Sequence, residues 1–223
     1  HVQPKGLLAT EAFVSLPFAG ARPAAVRCHF FELLDDRGRP HLVDDLDRGQ
    51  ILAANAILMN FQHLTAFGLD GMAHAAEALV GKAVGEKRRD ALMHAVNLTL
   101  KWSVIFAVGF TLVYLLGGPL IIAILTDLPD IREMALRYLP WMIASPLVSV
   151  WCFLYDGVYV GATRAREMRN IMVFSTLFVF LPAWYLLQPL GNDGLWLAFL
   201  IFMASRGIGM HIGYRKKLLA AYE

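Results

Sequence analysis

The fold of this chain is decided by the stretch WSVIFAVGFTLVYLLGGPLIIAIL, residues 102–125, which contains no charged side chain. A helix needs about 20 predominantly apolar residues to cross the hydrocarbon core of a bilayer. Further apolar stretches occur on both sides of this one. The predicted spans are residues 51–80, 91–125, 134–162, 171–188 and 193–213. The sequence therefore predicts an all-α, polytopic membrane protein with five transmembrane helices.

The overall composition agrees with this prediction and excludes several classes of protein. Hydrophobic residues make up 57% of the chain and charged residues 17%, which argues against both a disordered chain and a soluble domain. The two cysteines, Cys28 and Cys152, do not form a disulfide framework. No zinc-type spacing, phosphate-binding loop or nucleophile elbow occurs in the sequence. We therefore expect no enzyme, no metal, no organic cofactor and no nucleic-acid partner.

The basic residues lie in alternate loops. Lysine and arginine are concentrated in 82–90, 163–170 and 214–218, whereas 126–133 and 188–193 contain acids and only one arginine. Loops on the cytoplasmic side of a membrane are enriched in Lys and Arg. This pattern predicts that residue 50 lies outside and that the C-terminal tail, 219–223, is cytoplasmic.

The segment before the first span differs from the predicted membrane domain, residues 50–218. Residues 1–49 carry thirteen charged side chains, and their longest weakly charged stretch, 6–21, is too short to span a bilayer. The sequence leaves two hypotheses open for this atypical polar segment. It is either a short surface helix followed by a polar loop, or a stretch altered by truncation or a frame shift.

Three ionisable residues of the first span lie on one helical face, because Asp70, His74 and Glu77 are spaced at i, i+4 and i+7. A charged side chain at the bilayer centre costs about 2.5–3.5 kcal/mol on insertion scales, so such residues usually line a cavity or carry ions. Asp70 and Glu77 are therefore candidates for cation coupling, with His74 as a possible relay. The alternative is that His74 and Glu77 lie near the boundary and reach toward Lys82.

The third span contains one acid, Asp156, which should be uncharged, paired or hydrated. It is the third coupling candidate, and interfacial packing is the alternative. Two further features concern helix geometry. We expect Gly117-Gly118-Pro119 to break the second span, and Gly68, Gly71, Gly81 and Gly85 to form a small-residue packing face.

Other polar residues of the spans are weaker candidates for a cavity or a relay. Asn60 and His63 also fit helix–helix packing, and Tyr155 and Tyr159 also fit the aromatic belt at the membrane interface. Lys101 is expected to reach an acid on a neighbouring helix or a water-filled cavity. Arg206 either meets an acid from another helix or extends toward the cytoplasmic face. The weaker candidates are His74, Asn60, His63, Lys101, Tyr155, Tyr159 and Arg206.

Two strings resemble a known family of transporters. LAANAILMNFQHLTAFGLDGMAHAAEALVGKAVGE, residues 52–86, and YLPWMIASPLVSVWCFLYDGVYVGATRAREMRN, residues 138–170, are similar to the MATE (multidrug and toxic compound extrusion) family, and especially to its DinF-like (DNA-damage-inducible protein F) subgroup. The resemblance covers residues 50–218. It implies a membrane protein of twelve helices in two six-helix lobes, which exchanges H⁺ or Na⁺ for cationic or amphipathic compounds.

The resemblance assigns the five spans to the last five helices of the family's second lobe. It implies that Asp156 occupies the acidic position of that lobe's fourth helix, which takes part in cation coupling in Na⁺-type relatives. Glu77 and Asp70 match acidic positions typical of the DinF-like motif. The first lobe and the first helix of the second lobe have no counterpart in the sequence, so a missing N-terminal lobe is the expected partner.

The resulting prediction is a cation-coupled antiporter of the bacterial inner membrane, here as a C-terminal lobe or fragment, with an organic small molecule as substrate. Two alternatives stay open. One is a non-transporting fragment or scaffold membrane protein. The other is a lipid or polysaccharide flippase of the wider superfamily, which would carry basic residues in its cavity for anionic head groups.

Overall fold

The apolar segments form long helices joined by short turns in this computed structural model, which describes residues 42–219. The first three helices are α1 (Leu42–Gly85), α2 (Arg89–Leu125) and α3 (Pro129–Gly161). Then follow α4 (Ala165–Phe174), a π-helical turn (Ser175–Phe180), α5 (Leu181–Leu187) and a 3₁₀ turn (Gln188–Leu190). The last elements are α6 (Asn192–Gly213) and a second π-helical turn (Tyr214–Leu218). Between residues 42 and 219 no β-strand occurs.

The predicted all-α membrane fold is confirmed. Four helical segments of the described chain are long and apolar enough to cross a bilayer: Arg89–Leu125, Pro129–Gly161, Ala165–Leu190 and Asn192–Lys216. Helix α1 is the longest but is less apolar, because polar residues such as Asn55, Gln62 and Asp70 interrupt its hydrophobic sequence. The four apolar segments together with α1 account for the five predicted spans.

Two boundaries differ from the sequence predictions. Helix α1 begins at Leu42, so the end of the polar segment 1–49 is already helical. The predictions for residues 1–41 and 220–223 lie outside the described residues. The predicted break at Gly117-Gly118-Pro119 is wrong, since α2 runs through Pro119 to Leu125. Proline removes one backbone hydrogen bond, but breaking the helix would leave further backbone groups without partners, which is costly in an apolar environment.

Helix α3 lies centrally, because it packs against both α2 and α6. Helix α2 contacts the bundle through one stripe, in which a buried residue recurs every three or four positions. The stripe consists of Leu92, Ala95, Val96, Thr99, Ser103, Ala107, Tyr114, Gly118 and Ile122. The rest of α2 is largely exposed, as is the fourth span, where Ser175 is the one buried residue between 165 and 190. These outer surfaces are mostly apolar, as a surface in contact with lipid requires.

The core is arranged in clusters at the two ends of the bundle. One cluster joins Ala83, Leu92, Ala162 and Tyr214, all within a few residues of the three basic segments. The other joins residues near the acidic turns, including Ala54, Ile122, Ala135 and Trp196. The basic segments thus share one end of the bundle, as the predicted alternation requires.

Close helix contact is provided by glycines of α3 and by part of the predicted glycine face of α1, since a Cβ atom added at Gly68 would collide with the Phe110 ring and one added at Gly81 would touch the Gly161 carbonyl. A Cβ atom added at Gly157 would collide with the backbone carbonyl of Ala73, and one added at Gly161 would collide with that of Glu77. Gly71 and Gly85 have no atom within 4 Å of such a Cβ, so the predicted packing role of these two residues is wrong. The spacing GVYVG, residues 157–161, is the small-xxx-small pattern that permits close helix approach.

The packing described here lies within one compact unit, Gly49–Glu223. The division of the chain into 1–49, 50–218 and 219–223 stays a prediction.

Candidate functional site

A buried ion pair joins α3 to α6 within the apolar bundle. The Arg206 guanidinium donates from Nη2 to Oδ2 of Asp156, and the two atoms are 2.6 Å apart. The Arg206 side chain is 8% exposed and that of Asp156 is 23% exposed. Charge-assisted hydrogen bonds of this length are among the strong ones in proteins. Of the alternatives left open by the sequence, Arg206 therefore meets an acid on another helix, and Asp156 is paired.

The pair uses one oxygen of the carboxylate. The second oxygen, Asp156 Oδ1, is buried and has no hydrogen-bond partner among the described residues. The Cys152 thiol, one helical turn earlier, lies 3.9 Å from Oδ2. A buried carboxylate oxygen without a partner is uncommon, and this oxygen can still accept a proton or bind a cation.

A second carboxylate, Asp70 on α1, lies near this pair. It is partly buried and interacts electrostatically with both Arg206 and Asp156. The contact of Gly157 with Ala73 brings α1 against α3 at this level, and Asp70 precedes Ala73 by three residues on α1. The structure thus groups Asp70, Asp156 and Arg206 from three helices.

The other two residues of the predicted acidic face lie further from the core. His74 Nδ1 is 3.4 Å from Glu77 Oε2, and their side chains are 65% and 42% exposed. His74 and Glu77 therefore pair with each other. Neither is paired with Asp156 or Arg206. The three residues share one face of α1, and of the three Asp70 is the one that interacts electrostatically with Asp156 and Arg206.

The two tyrosines of α3 are buried, which argues against the interface-belt alternative. The Tyr155 hydroxyl lies 2.5 Å from His211 Nδ1, and the Tyr159 hydroxyl donates to the Met210 carbonyl at 3.0 Å. Both contacts cross from α3 to α6 on the side of the basic segments. They connect these helices two turns or less from Asp156.

The remaining candidates do not join this group. Asn60 is exposed and donates to the Ala56 carbonyl of its own helix at 3.2 Å, and His63 is partly buried on α1. Lys101 is exposed on α2 and has no acidic partner among the described residues, so the expected contact with an acid on another helix is wrong within this part of the chain. Residues 42–219 contain no group of His, Cys, Asp and Glu arranged to hold a metal ion.

Sequence reasoning missed a polar network at the opposite end of the bundle. Asn55 is buried and exchanges hydrogen bonds of 2.7 and 3.0 Å with Asn192, and its oxygen also accepts from the Trp196 indole at 3.1 Å. Next to it, Trp141 donates to Asp193 at 2.8 Å. The signal was an asparagine inside an apolar span, since a polar side chain at that depth needs an interhelical partner.

Three other interhelical hydrogen bonds hold α1 in place. Ser145 on α3 donates to the Gln62 side chain at 2.6 Å. On α2, the Tyr114 hydroxyl donates to the Phe61 carbonyl at 2.8 Å and lies 2.9 Å from the Thr65 hydroxyl. These bonds fix the position of α1 and therefore the distance of Asp70 from the ion pair.

Comparison with protein families gives a clear assignment. The family model described as MatE matches residues 45–185. The chain belongs to the MatE family. The match covers α1, α2, α3, α4 and most of α5, and therefore contains Asp70 and Asp156; Arg206 lies beyond it. The resemblance stated from the quoted strings is confirmed.

Two curated MatE relatives are similar in sequence. DNA damage-inducible protein F of Escherichia coli (strain K12) is 43% identical over 171 residues, which is 74% of this chain and 36% of that protein. Protein DETOXIFICATION 43 of Arabidopsis thaliana is 23% identical over 139 residues, covering 62% of this chain and 26% of that protein. The chain thus spans about a third of the length of the first relative and about a quarter of the second. The DinF-like assignment is confirmed by the first of them.

A solved structure shares the fold. It is titled an inward-facing conformation of a multidrug resistance MATE family transporter of the MOP superfamily, and it superposes with a TM-score of 0.64 over 78% of this chain and 40% of that one, at 18% identity. The helix arrangement of this chain is therefore that of part of a MATE transporter. The chain is a multi-pass membrane protein of this transporter family.

Proposed function

We propose that this MatE chain acts as the C-terminal lobe of a cation-coupled antiporter, which exchanges H⁺ or Na⁺ for cationic or amphipathic organic compounds across a bacterial inner membrane. One observation carries the proposal. A carboxylate, Asp156, lies inside an apolar helix bundle, paired through one oxygen to Arg206, with its other oxygen unused. Ionisable residues within membrane spans typically mark ion or substrate pathways.

The ion pair offers a physical means of coupling. A proton or Na⁺ bound to Asp156 weakens its bond to Arg206, so the relation between α3 and α6 depends on whether the cation is present. A bound ion can shift a transporter between outward- and inward-open states only if it binds those states with different affinity. A carboxylate whose partner changes between the states meets that requirement.

The sign of the local charge favours cationic cargo over the anionic head groups of a flippase. Asp70 and Asp156 together carry one more negative charge than Arg206 neutralises, and Arg206 is already paired. An excess of negative charge in a low-dielectric region attracts cations. The flippase alternative would need an unpaired basic residue in the same region.

We propose an N-terminal lobe as the partner of this chain. In MATE-type transporters the substrate cavity lies between two repeats, and alternating access requires both. The relative from E. coli is 36% covered by this chain, which leaves ample length for the other lobe in such a protein. Without that lobe we expect the chain to behave as a non-transporting membrane protein.

An efflux assay tests the coupling role of Asp156. The protein is expressed in bacteria sensitive to cationic dyes, both alone and together with the N-terminal lobe of a MatE relative, and ethidium efflux is followed by fluorescence. We expect export with both lobes and its near-complete loss in Asp156→Asn. The matched control is Asp127→Asn, an identical change of an exposed turn residue, which should leave efflux intact.

Equal efflux in Asp156→Asn and the unchanged protein would contradict the coupling role. Absence of efflux with both lobes present would contradict the transport function and favour the scaffold alternative. The sequence-based expectation that the protein is not an enzyme stays a prediction, and so do the coupling ion and the cytoplasmic position of the C-terminus.

A further inference from the structure

We infer that Arg206 is an internal counter-ion shared by two carboxylates: it pairs with Asp156 when no cation is bound there and moves to Asp70 when one is. This inference deepens the proposed function, on which its second half rests. The first half, the sharing of Arg206 between two acids, rests on the Arg206–Asp156 pair and on the contact that holds α1 against α3 beside it.

The first argument is the geometry of the present pair. Arginine carries several N–H donors in a planar fork and often binds both oxygens of a carboxylate. Here a hydrogen bond is made from Nη2 to Oδ2, while Oδ1 is buried without a partner. Arg206 therefore does not bind both oxygens of Asp156, and Oδ1 remains an acceptor for a second positively charged group.

The second argument is the burial of Arg206. A guanidinium that is 8% exposed cannot leave Asp156 unless another acceptor receives it, because an unpaired buried charge costs several kcal/mol. The neighbouring Gly207 packs against Trp151 and Cys152 of α3, which holds this part of α6 close to α3. Displacement of Arg206 thus requires an acid nearby.

The third argument is that Asp70 is such an acid. It lies on a third helix, is partly buried, and acts electrostatically on Arg206 as well as on Asp156. The glycines adjacent to the paired residues explain this proximity. Gly157 follows Asp156 and admits α1 at Ala73, while Gly207 follows Arg206 and lets α6 approach α3. These two contacts place Asp70, Asp156 and Arg206 at similar levels of the bundle.

The charge balance gives this arrangement a direction. With both carboxylates ionised, the group has one uncompensated negative charge and takes up one monovalent cation. When that cation binds Asp156, repulsion between it and Arg206 drives the guanidinium toward Asp70, the remaining negative group. Arg206 therefore competes with the cation for Asp156, and Asp70 lowers the free energy needed to displace it.

A double-mutant cycle tests the sharing in the purified chain. Thermal unfolding, followed by tryptophan fluorescence in nanodiscs, is compared for Asp156→Asn, Asp70→Asn and the double variant. If Arg206 is shared, either acid substitutes for the other, and only the double variant removes both acids from the arginine. We expect its fall in Tm to exceed the sum of the single falls by about 4 °C or more.

The matched control replaces Asp70 with the more exposed Glu77 of the same helix face. Asp156→Asn combined with Glu77→Gln should lower Tm by the sum of the two single effects. Additive losses in the Asp70 cycle would overturn the inference. An equal excess in the Glu77 cycle would overturn it as well, because the second acceptor would then not be Asp70.

Alkylation of Cys152 tests the displacement and does not require the double variant to fold. In a Cys28→Ser background Cys152 is the remaining thiol, and because it is buried beside Asp156, its alkylation reports opening of the bundle at this site. We expect Na⁺ or tetraphenylphosphonium to change its rate of reaction with N-ethylmaleimide several-fold, and Asp70→Asn to abolish that change. The same several-fold change in Asp70→Asn would overturn the inference.

The two experiments separate this inference from the proposed function. If neither cation alters Cys152 alkylation but the Asp70 cycle shows the excess loss, Arg206 is shared and the cation-coupled function fails. If the cations act and the cycle is additive, coupling survives and the shared counter-ion does not.

Discussion

Asp156 and Gly157 are neighbours in the sequence and serve the same site in different ways. The carboxylate supplies the charge that pairs with Arg206, while the glycine lets the backbone of α1 approach α3. The position of Asp70 depends on that approach. Loss of the glycine should therefore disturb the site as well as the packing.

Substitution of Gly157 by alanine tests this contact. The added methyl group would collide with the Ala73 carbonyl, a backbone atom that cannot turn aside, whereas Gly71→Ala places a methyl group in open space. Overpacking typically costs about 1–3 kcal/mol, which corresponds to a fall in Tm of about 2–4 °C per kcal/mol for a chain of this size. We expect that fall for Gly157→Ala in thermal unfolding and no fall for the matched Gly71→Ala. Equal values for both variants would contradict the close contact.

At this scale the sequence identified the charged residues but not their arrangement. Asp70, Asp156 and Arg206 are conspicuous because they are ionisable and lie in apolar spans. Which acid meets Arg206 depends on the rotation of α1, α3 and α6 about their axes, and the spacing within one helix does not specify that rotation. Asn55 was missed because its role depends on Asn192 and Trp196, more than 130 residues away.

At the scale of the elements, α1 is held by polar contacts that its neighbours do not need. Helix α2 presents one apolar stripe, whereas α1 makes hydrogen bonds through Asn55, Gln62 and Thr65 to three different helices. This follows from composition, since a less apolar helix must satisfy its polar groups within the protein. The contacts at Asn55 should therefore contribute to stability.

The comparison of two asparagines tests that contribution. Asn55→Ala removes the bonds to Asn192 and Trp196, while Asn60→Ala removes a bond within α1 on an exposed face. Interhelical hydrogen bonds in membranes contribute about 0.6 kcal/mol on average and up to about 1.7 kcal/mol. We expect a lower midpoint of thermal unfolding for Asn55→Ala and an unchanged one for Asn60→Ala. A similar effect of both would mean that the network at this end is not stabilising.

The helices themselves were largely predictable, because an apolar stretch of sufficient length has few alternatives in a membrane. The exceptions have local causes. Pro119 suggested a break that the backbone does not make, and the π-helical turn at Ser175–Phe180 has no counterpart in the pattern of apolar residues. Both depend on how single backbone hydrogen bonds are rearranged, which composition does not reveal.

At the scale of the molecule, the grouping of the basic segments at one end agrees with the alternating loop charges. That geometry fixes which turns share a side, but which side faces the cytoplasm rests on the positive-inside rule. The prediction is that the acidic turn after α2 is outside and that the turn before α4 is inside.

Thiol labelling in intact cells tests this orientation. In a chain with Cys28→Ser and Cys152→Ser, single cysteines are introduced by Asp127→Cys and Arg166→Cys, both at exposed positions. A maleimide that does not cross membranes should label the first variant in intact cells and the second only after permeabilisation. The reverse labelling pattern would invert the topology and place the basic segments outside.

The fourth span has a consequence for how this protein can change over evolutionary time. From Ala165 to Leu190 it fully buries only Ser175, and its exposed apolar side chains, such as Phe174, Phe178 and Leu186, are suited to lipid tails, which accept any apolar shape. These positions can therefore exchange Leu, Ile, Val and Phe during evolution with little loss of stability. Sequence similarity between distant relatives should therefore be retained in α1 and α3 and gradually lost from this span.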